Sequence, residues 1–139
     1  LVLKCIEKKG KATVKELTEN STLKGNYDNN QWNIQNTKAK YSTDFGKSFT
    51  ACPCPKQSII DDVVLLTTGA DESFSMMNIY DIAGNVEEWT LEKTSDDNIP
   101  CAVRGGYYKY DGSFNPASKR GTVRTSSSAD DTGFRLSLY

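Results

Sequence analysis

The stretch Asn78-Ile-Tyr-Asp-Ile-Ala-Gly-Asn-Val-Glu-Glu-Trp89 constrains this chain more than any other. It sets Asp81 and Glu88 on either side of a tight Gly84-Asn85 bend, a turn chemistry that needs small or left-handed residues. Two carboxylates flanking a bend, with backbone carbonyls between them, are oxygen donors of the kind that a hard cation takes. The alternative is an ordinary turn with solvated carboxylates. Beyond the bend, Trp89 and Leu91 alternate with Glu88, Thr90 and Glu92, which predicts a half-buried strand with Trp89 and Leu91 inward.

Other segments read as short elements separated by long polar connections. Val2, Cys5 and Ile6 recur at helical spacing until Gly10, which predicts a short first helix. Thr13-Val-Lys-Glu16 has the form of a capping box, with Val14 and Leu17 on one face, so a second helix runs to about Asn20. Between Ser21 and Lys56 the chain is rich in Asn, Ser, Thr, Lys and Gly, and only Trp32 and Ile34 alternate as a strand would. Val63-Val-Leu-Leu66, bounded by Asp61-Asp62 and Thr67-Thr-Gly69, predicts a buried strand. After the polar turn Thr94 to Asn98, Cys101-Ala-Val-Arg104 predicts another, broken at Gly105-Gly106, where the backbone needs positive φ or a close neighbour. Phe134, Leu136 and Leu138 alternate with Arg135, Ser137 and Tyr139 as a last strand. Two early helices, short strands and many loops predict an α+β fold with an antiparallel sheet.

The chain has 139 residues, enough for a single domain. With 17 basic and 18 acidic residues it has no basic excess for nucleic acid, and it has no apolar run long enough to span a bilayer. It does not begin with Met, and reads as the C-terminal portion of a longer chain. Cys52 and Cys54 are too close for a relaxed bond with each other, so any bridge is expected to tie one of them to Cys5 or Cys101. A four-thiolate zinc site and free buried thiols are the other readings. The complete absence of histidine removes the commonest general base and metal ligand. No Ser/His/Asp set or phosphate-binding glycine loop takes its place.

Three ordered motifs, Asn78 to Trp89, Val103-Arg-Gly-Gly106 and Gly133-Phe-Arg135, together resemble the formylglycine-generating enzyme (sulfatase-modifying factor) family. Leu65-Leu-Thr-Thr-Gly-Ala70 is similar to the segment that leads into the first motif in bacterial lectin-like members. The resemblance implies a variant of the C-type lectin fold and a structural calcium ion held by the Asp81 side chain, the carbonyls of Gly84 and Val86, and the Glu88 side chain. In the enzymes, two cysteines after the Arg-Gly-Gly motif bind copper and oxidise a substrate cysteine. Aligned by that motif, their positions fall at about Tyr110 and Asn115, which cannot act as thiolates.

The same segment reads instead as a binding surface. Tyr107, Tyr108 and Tyr110 offer stiff, amphipathic contact area, and Asp111, Ser113, Asn115, Arg120, Ser126, Ser127 and Asp130 offer adaptable polar contacts, as antibody loops do. Alternate tyrosines packed on the domain, with Tyr108 and Phe114 in the core, are the plainer reading. The expectation is a non-catalytic adhesin or receptor-recognition domain on a bacterial surface or a phage particle, taking a protein, peptide or glycan ligand. The lectin-like fold with a variable C-terminal segment also resembles proteins diversified by retroelements, and most residue types between Tyr107 and Thr132 are reachable by adenine mutation of Asn codons. A formylglycine-generating or related oxidoreductase and a pilus or tail subunit are the competing classes.

Overall fold

The first helix, α1 (Val2–Lys8), buries Ile6 completely and leaves Val2 and Cys5 exposed. Leu3, one turn before Ile6, packs against the same core, so the buried stripe is Leu3 and Ile6 and not the Val2, Cys5, Ile6 set expected from spacing. At Thr13 both halves of the capping box form: Thr13 Oγ1 accepts the Glu16 N–H at 3.2 Å, and Glu16 Oε2 accepts the Thr13 N–H at 2.7 Å. The helix that follows, α2 (Val14–Thr18), buries Leu17 while Val14 stays half exposed. This computed structural model describes residues 2–59, 63–126 and 128–135.

The strands are short: β1 (Asn33–Ile34), β2 (Lys40–Ser42), β3 (Thr50–Ala51), β4 (Cys54–Pro55), β5 (Leu65–Leu66), β6 (Ser75–Met76) and β7 (Ile79–Tyr80). The longest is β8 (Glu87–Lys93), followed by β9 (Cys101–Arg104), β10 (Arg120–Val123) and β11 (Thr132–Gly133). They form small separate sheets, β1 with β4, β3-β2-β5, and β6 with β7, beside one four-stranded sheet in the order β10-β9-β8-β11. The larger sheet is mixed. β8, β9 and β10 are antiparallel, whereas β11 runs parallel to β8 with Thr132 opposite Glu87, so the expectation of a purely antiparallel sheet is corrected. The chain is α+β.

Among the described residues the core contains two apolar clusters, with Val103 and Tyr108 also buried. Trp32, Ile34, Val64, Leu66 and Phe74 form one, and Ile6, Leu17, Tyr27, Met76 and Ala117 are in the other. The strand at Val63–Leu66 is confirmed only in part, because burial alternates and just Leu65 and Leu66 pair. Between the clusters runs a buried amide network. Trp32 Nε1 donates to Asn26 Oδ1 at 3.0 Å; Asn26 Nδ2 donates to the Val64 carbonyl at 2.7 Å and to Asn85 Oδ1 at 3.0 Å. Asn85 completes it by bonding both the N–H and the carbonyl of Leu66. The central motif is thus fastened to a distant part of the chain through satisfied polar groups, as burial demands.

Three further expectations are overturned. Leu91 is fully exposed, because the register of β8 against β9 shifts between Trp89 and Lys93 and the alternation is lost there. Phe134 is also largely exposed, and Leu136 and Leu138 lie outside the described residues, as do Asp61 and Asp62. Cys52 and Cys54 are bonded to each other, their Cα atoms 5.1 Å apart, within the range such bonds span. Cys5 and Cys101 are free thiols, Cys5 exposed and Cys101 half-buried, so neither the bridge to this pair nor a four-thiolate zinc site forms.

Candidate functional site

The segment after β9 turns away from the sheet at Gly105 and Gly106, whose φ values are 110° and 68°. A Cβ at Gly106 would lie 2.1 Å from the Asn115 carbonyl oxygen, so both reasons for glycine expected from the sequence operate at once. The Tyr27 hydroxyl donates to the Gly105 carbonyl at 3.0 Å, and the Tyr108 N–H to the Asn85 carbonyl at 3.1 Å, which seats the start of the loop on the buried network.

From there to Ser118 the loop is stitched to the segment around α2 and the turn after it. Asp28 N–H donates to the Tyr110 carbonyl (3.1 Å), Ser21 N–H to the Gly112 carbonyl (2.9 Å), Gly112 N–H to Asn29 Oδ1 (3.2 Å), Ala117 N–H to Ser21 Oγ (2.9 Å) and Ser118 N–H to the Leu17 carbonyl (2.9 Å). Gly112 passes so close that a Cβ there would meet the Thr22 nitrogen at 2.2 Å. The bed is held in turn by Lys56, whose buried ammonium donates to the carbonyls of Tyr27 and Asp28.

On this bed three aromatic rings cluster. Tyr107 and Tyr110 meet edge to face at 5.1 Å between centroids, and Tyr110 stacks on Phe114 at 5.4 Å and 29°. Tyr110 is 42% and Phe114 63% exposed. The Lys119 ammonium lies 5.3 Å from the Phe114 centroid. Burial raises the Tyr107 phenol well above its ordinary range, helped by the hydrogen bond it donates to Tyr110 and by the nearby Asp131 and Glu87 carboxylates. Glu87 is itself raised, by burial first and then by Asp131.

The predicted binding residues divide by exposure. Tyr110, Asp111, Ser113, Ser126 and Asp130 are on the surface, and Tyr107 is half-buried. Tyr108 and Asn115 are buried and support the surface from beneath, so neither is placed for direct contact. Arg120 is held against Glu92, its Nε 3.2 Å from Oε2, in a group that also binds Arg104. These two arginines keep the Glu92 carboxyl down to about 2, Arg104 through its hydrogen bonds more than Arg120. Asp130 accepts from Lys109 at 3.0 Å. Ser127 lies outside the described residues. Sequence reasoning treated Phe114 as a core candidate and gave Lys109 and Lys119 no role; the polar residues flanking Phe114, Ser113 and Asn115, were the available signal for a surface loop.

The four residues assigned to calcium do share one turn. Asp81 and Asn85 have positive φ, 55° and 64°, and Gly84 has 68°. Asp81 is buried, accepts the Gly69 N–H at 3.1 Å, and burial pushes its carboxyl up to about 6. Both Glu88 oxygens, however, accept from one guanidinium, with Arg135 Nε 3.0 Å from Oε2 and Nη2 on Oε1. Arg135 Nη2 also reaches the Asp81 carbonyl at 3.4 Å. An ion bound by Asp81, Gly84, Val86 and Glu88 would require Glu88 to leave this fork, so the residues as arranged do not fit it. Among the described residues no group of three or more His, Cys, Asp or Glu side chains forms a metal-holding cluster.

The profile of the sulfatase-modifying factor enzyme 1-like domain matches residues 10–138. The chain belongs to that family. The match covers the capping box, the buried amide network, the Arg-Gly-Gly turn and the aromatic loop of the sulfatase-modifying factor domain, while α1 lies before it and packs Ile6 into the same core. No curated protein and no solved structure matches the chain. Among the described residues of this sulfatase-modifying factor domain no helix is long and apolar enough to cross a membrane.

Proposed function

We propose that this sulfatase-modifying factor domain is a non-catalytic recognition module, an adhesin or receptor-binding domain of the C-type lectin-like type, whose ligand contacts the Tyr107, Tyr110 and Phe114 cluster. The observation that carries the reading is the Tyr110–Phe114 stack, exposed in water on a loop whose backbone is fastened at both ends and in the middle. Large exposed rings on a rigid support are what a contact surface needs, since little ordering cost accompanies binding. Tyr110 stands at one of the positions where the resemblance places a catalytic cysteine, and buried Asn115 at the other. A phenol and a carboxamide cannot supply the thiolate that copper oxidation needs.

The reading places the domain outside the cell, on a bacterial surface or a phage particle, with a cell-surface ligand. The test has two arms. Copper-loaded protein incubated with a cysteine-bearing peptide should give no oxidised product above the protein-free control; turnover would make it an enzyme. A double variant, Tyr110→Ala with Phe114→Ala, should lose the ligands that the parent selects from glycan and peptide libraries while melting as the parent does, and retained binding would remove the surface from the reading. If the segment is diversified, substitutions in a population grown from one clone should fall on exposed positions such as Tyr110, Asp111 and Ser113 and spare buried Tyr108 and Asn115.

A further inference from the structure

We infer that the Cys52–Cys54 bond is a thiol-exchange site, at which a low-molecular-weight thiol of the glutathione class attacks Cys54 and expels Cys52. The inference goes beyond the recognition reading and does not depend on it. A disulfide stabilises a fold chiefly by closing a loop that is otherwise free in the unfolded chain, and the gain grows with the loop. Here the bonded residues are two apart, and the one residue between them is Pro53, whose φ is already fixed by its ring. The bond therefore removes almost no freedom from the unfolded chain, and it is a weak staple.

The chain on either side is held without it. Ala51 pairs with Lys40 of β2, and the Cys52 N–H donates to the Ala39 carbonyl at 2.9 Å. Cys54 pairs with Ile34 of β1, and the Lys56 N–H donates to the Trp32 carbonyl at 3.0 Å. Opening the bond leaves these fastenings in place, so the two thiols stay near each other and can close again.

The two cysteines are not equivalent. Cys52 is 1% exposed inside the cluster of Trp32, Ile34 and Val64, whereas Cys54 is half-buried at its margin, between exposed Pro53 and Pro55. A thiolate arriving from water meets Cys54 first. It attacks the Cys54 sulfur and forms a new S–S bond there; the electron pair of the broken bond goes to Cys52, which takes up a proton because apolar surroundings disfavour a thiolate. The Cys52 sulfur lies 3.8 Å from the Cys54 carbonyl oxygen, an acceptor for the new S–H. A second small thiolate then attacks the sulfur of the first, the small-molecule disulfide leaves, and Cys54 is released and protonated. Two thiols are oxidised and one protein disulfide is reduced. The exchange needs no metal and consumes the bond once per chain, so it is not the turnover that the copper assay seeks.

The test uses the parent chain with free Cys5 and Cys101 first blocked by alkylation, then incubated without oxygen in millimolar glutathione and alkylated with a second, heavier label. Cys52 and Cys54 should both take the second label while the chain still melts within a few degrees of the untreated protein. Mixed disulfide trapped by acid during the reaction should map to Cys54. With oxidised glutathione, Cys52→Ser should gain the adduct at Cys54 at least about tenfold faster than Cys54→Ser gains it at Cys52. A bond that glutathione opens only once urea has unfolded the chain, or whose opening itself unfolds the chain, would be a structural staple and would overturn the site. An adduct that maps to Cys52, or equal rates in the two variants, would overturn the assignment of Cys54 as the attacked sulfur.

Discussion

Asn26 and Asn85 are joined twice: the Asn26 side-chain amide donates to Asn85 Oδ1 at 3.0 Å, and the Asn85 N–H donates to the Asn26 carbonyl at 2.8 Å. Around this pair converge Trp32, Val64, Leu66 and the N–H of Tyr108, so one buried contact links the polar N-terminal half, the central motif and the aromatic loop.

Asn85→Ala should therefore be among the most damaging single substitutions. It strands the Leu66 N–H and carbonyl and one N–H of the Asn26 amide, each a buried group that costs about 1–3 kcal/mol unpaired. A loss of about 3 kcal/mol or more is expected in urea unfolding, whereas Leu91→Ala should stay within about 0.5 kcal/mol. A loss near that of the surface control would mean that water replaces the network.

Gly106→Ala should perturb the loop before it perturbs the fold. The added carbon would sit 2.1 Å from the Asn115 carbonyl at a φ of 68°, so the loop must lift. Loss of the ligands that depend on Tyr110, at a melting drop of a few degrees, about 1–2 kcal/mol, is the expected pairing. Unchanged binding would place the ligand away from this loop.

The pH dependence should carry the mark of Asp81. Burial raises its carboxyl from the ordinary 3.8 to about 6, so the folded state holds a proton that the unfolded chain has released between those values. Stability from this group is thus full below about pH 4 and lost as pH rises through about 6, some 2–3 kcal/mol in all. Asp81→Asn should gain on the parent by that amount between pH 4 and pH 7. Parallel profiles for the two proteins would show that Asp81 is solvated or paired in solution.

The Glu88–Arg135 fork makes a sharp statement about calcium. Arg135→Ala should destabilise by up to about 1 kcal/mol through the lost surface bidentate pair. The parent should melt alike in excess calcium and in excess chelator. A calcium-dependent rise in the parent, abolished in Asp81→Ala, would instead establish the ion at Asp81, Gly84, Val86 and Glu88.

Local rules were legible where partners lie close in sequence. The Thr13–Glu16 capping box, the burial of Trp32 and Ile34, the strand at Cys101–Arg104 and the Gly105-Gly106 break all follow from spacing, because the contacts that satisfy them are local or repeat with the strand period. Leu91 did not follow, since β8 shifts register against β9 between Trp89 and Lys93, and such a shift cannot be read from the alternation of β8 alone. Cys52 and Cys54 misled for a related reason. Whether two near cysteines can meet depends on how far the chain contracts between them, here to 5.1 Å, and not on their separation in sequence.

The sequence by itself determined the family, the capped helix, the turn at Gly84-Asn85 and the loop that carries the tyrosines. Only the tertiary structure decided which aromatic residues of that loop face water: Tyr110 and Phe114 do, and Tyr108 does not. It also brought Phe45 to Lys109 and gave Arg135 to Glu88. These are long-range pairings, and a side chain's direction in a loop has no period to read. It is set by which backbone groups the loop must bond, and those belong to Leu17, Ser21, Asp28 and Asn85, far away in the chain.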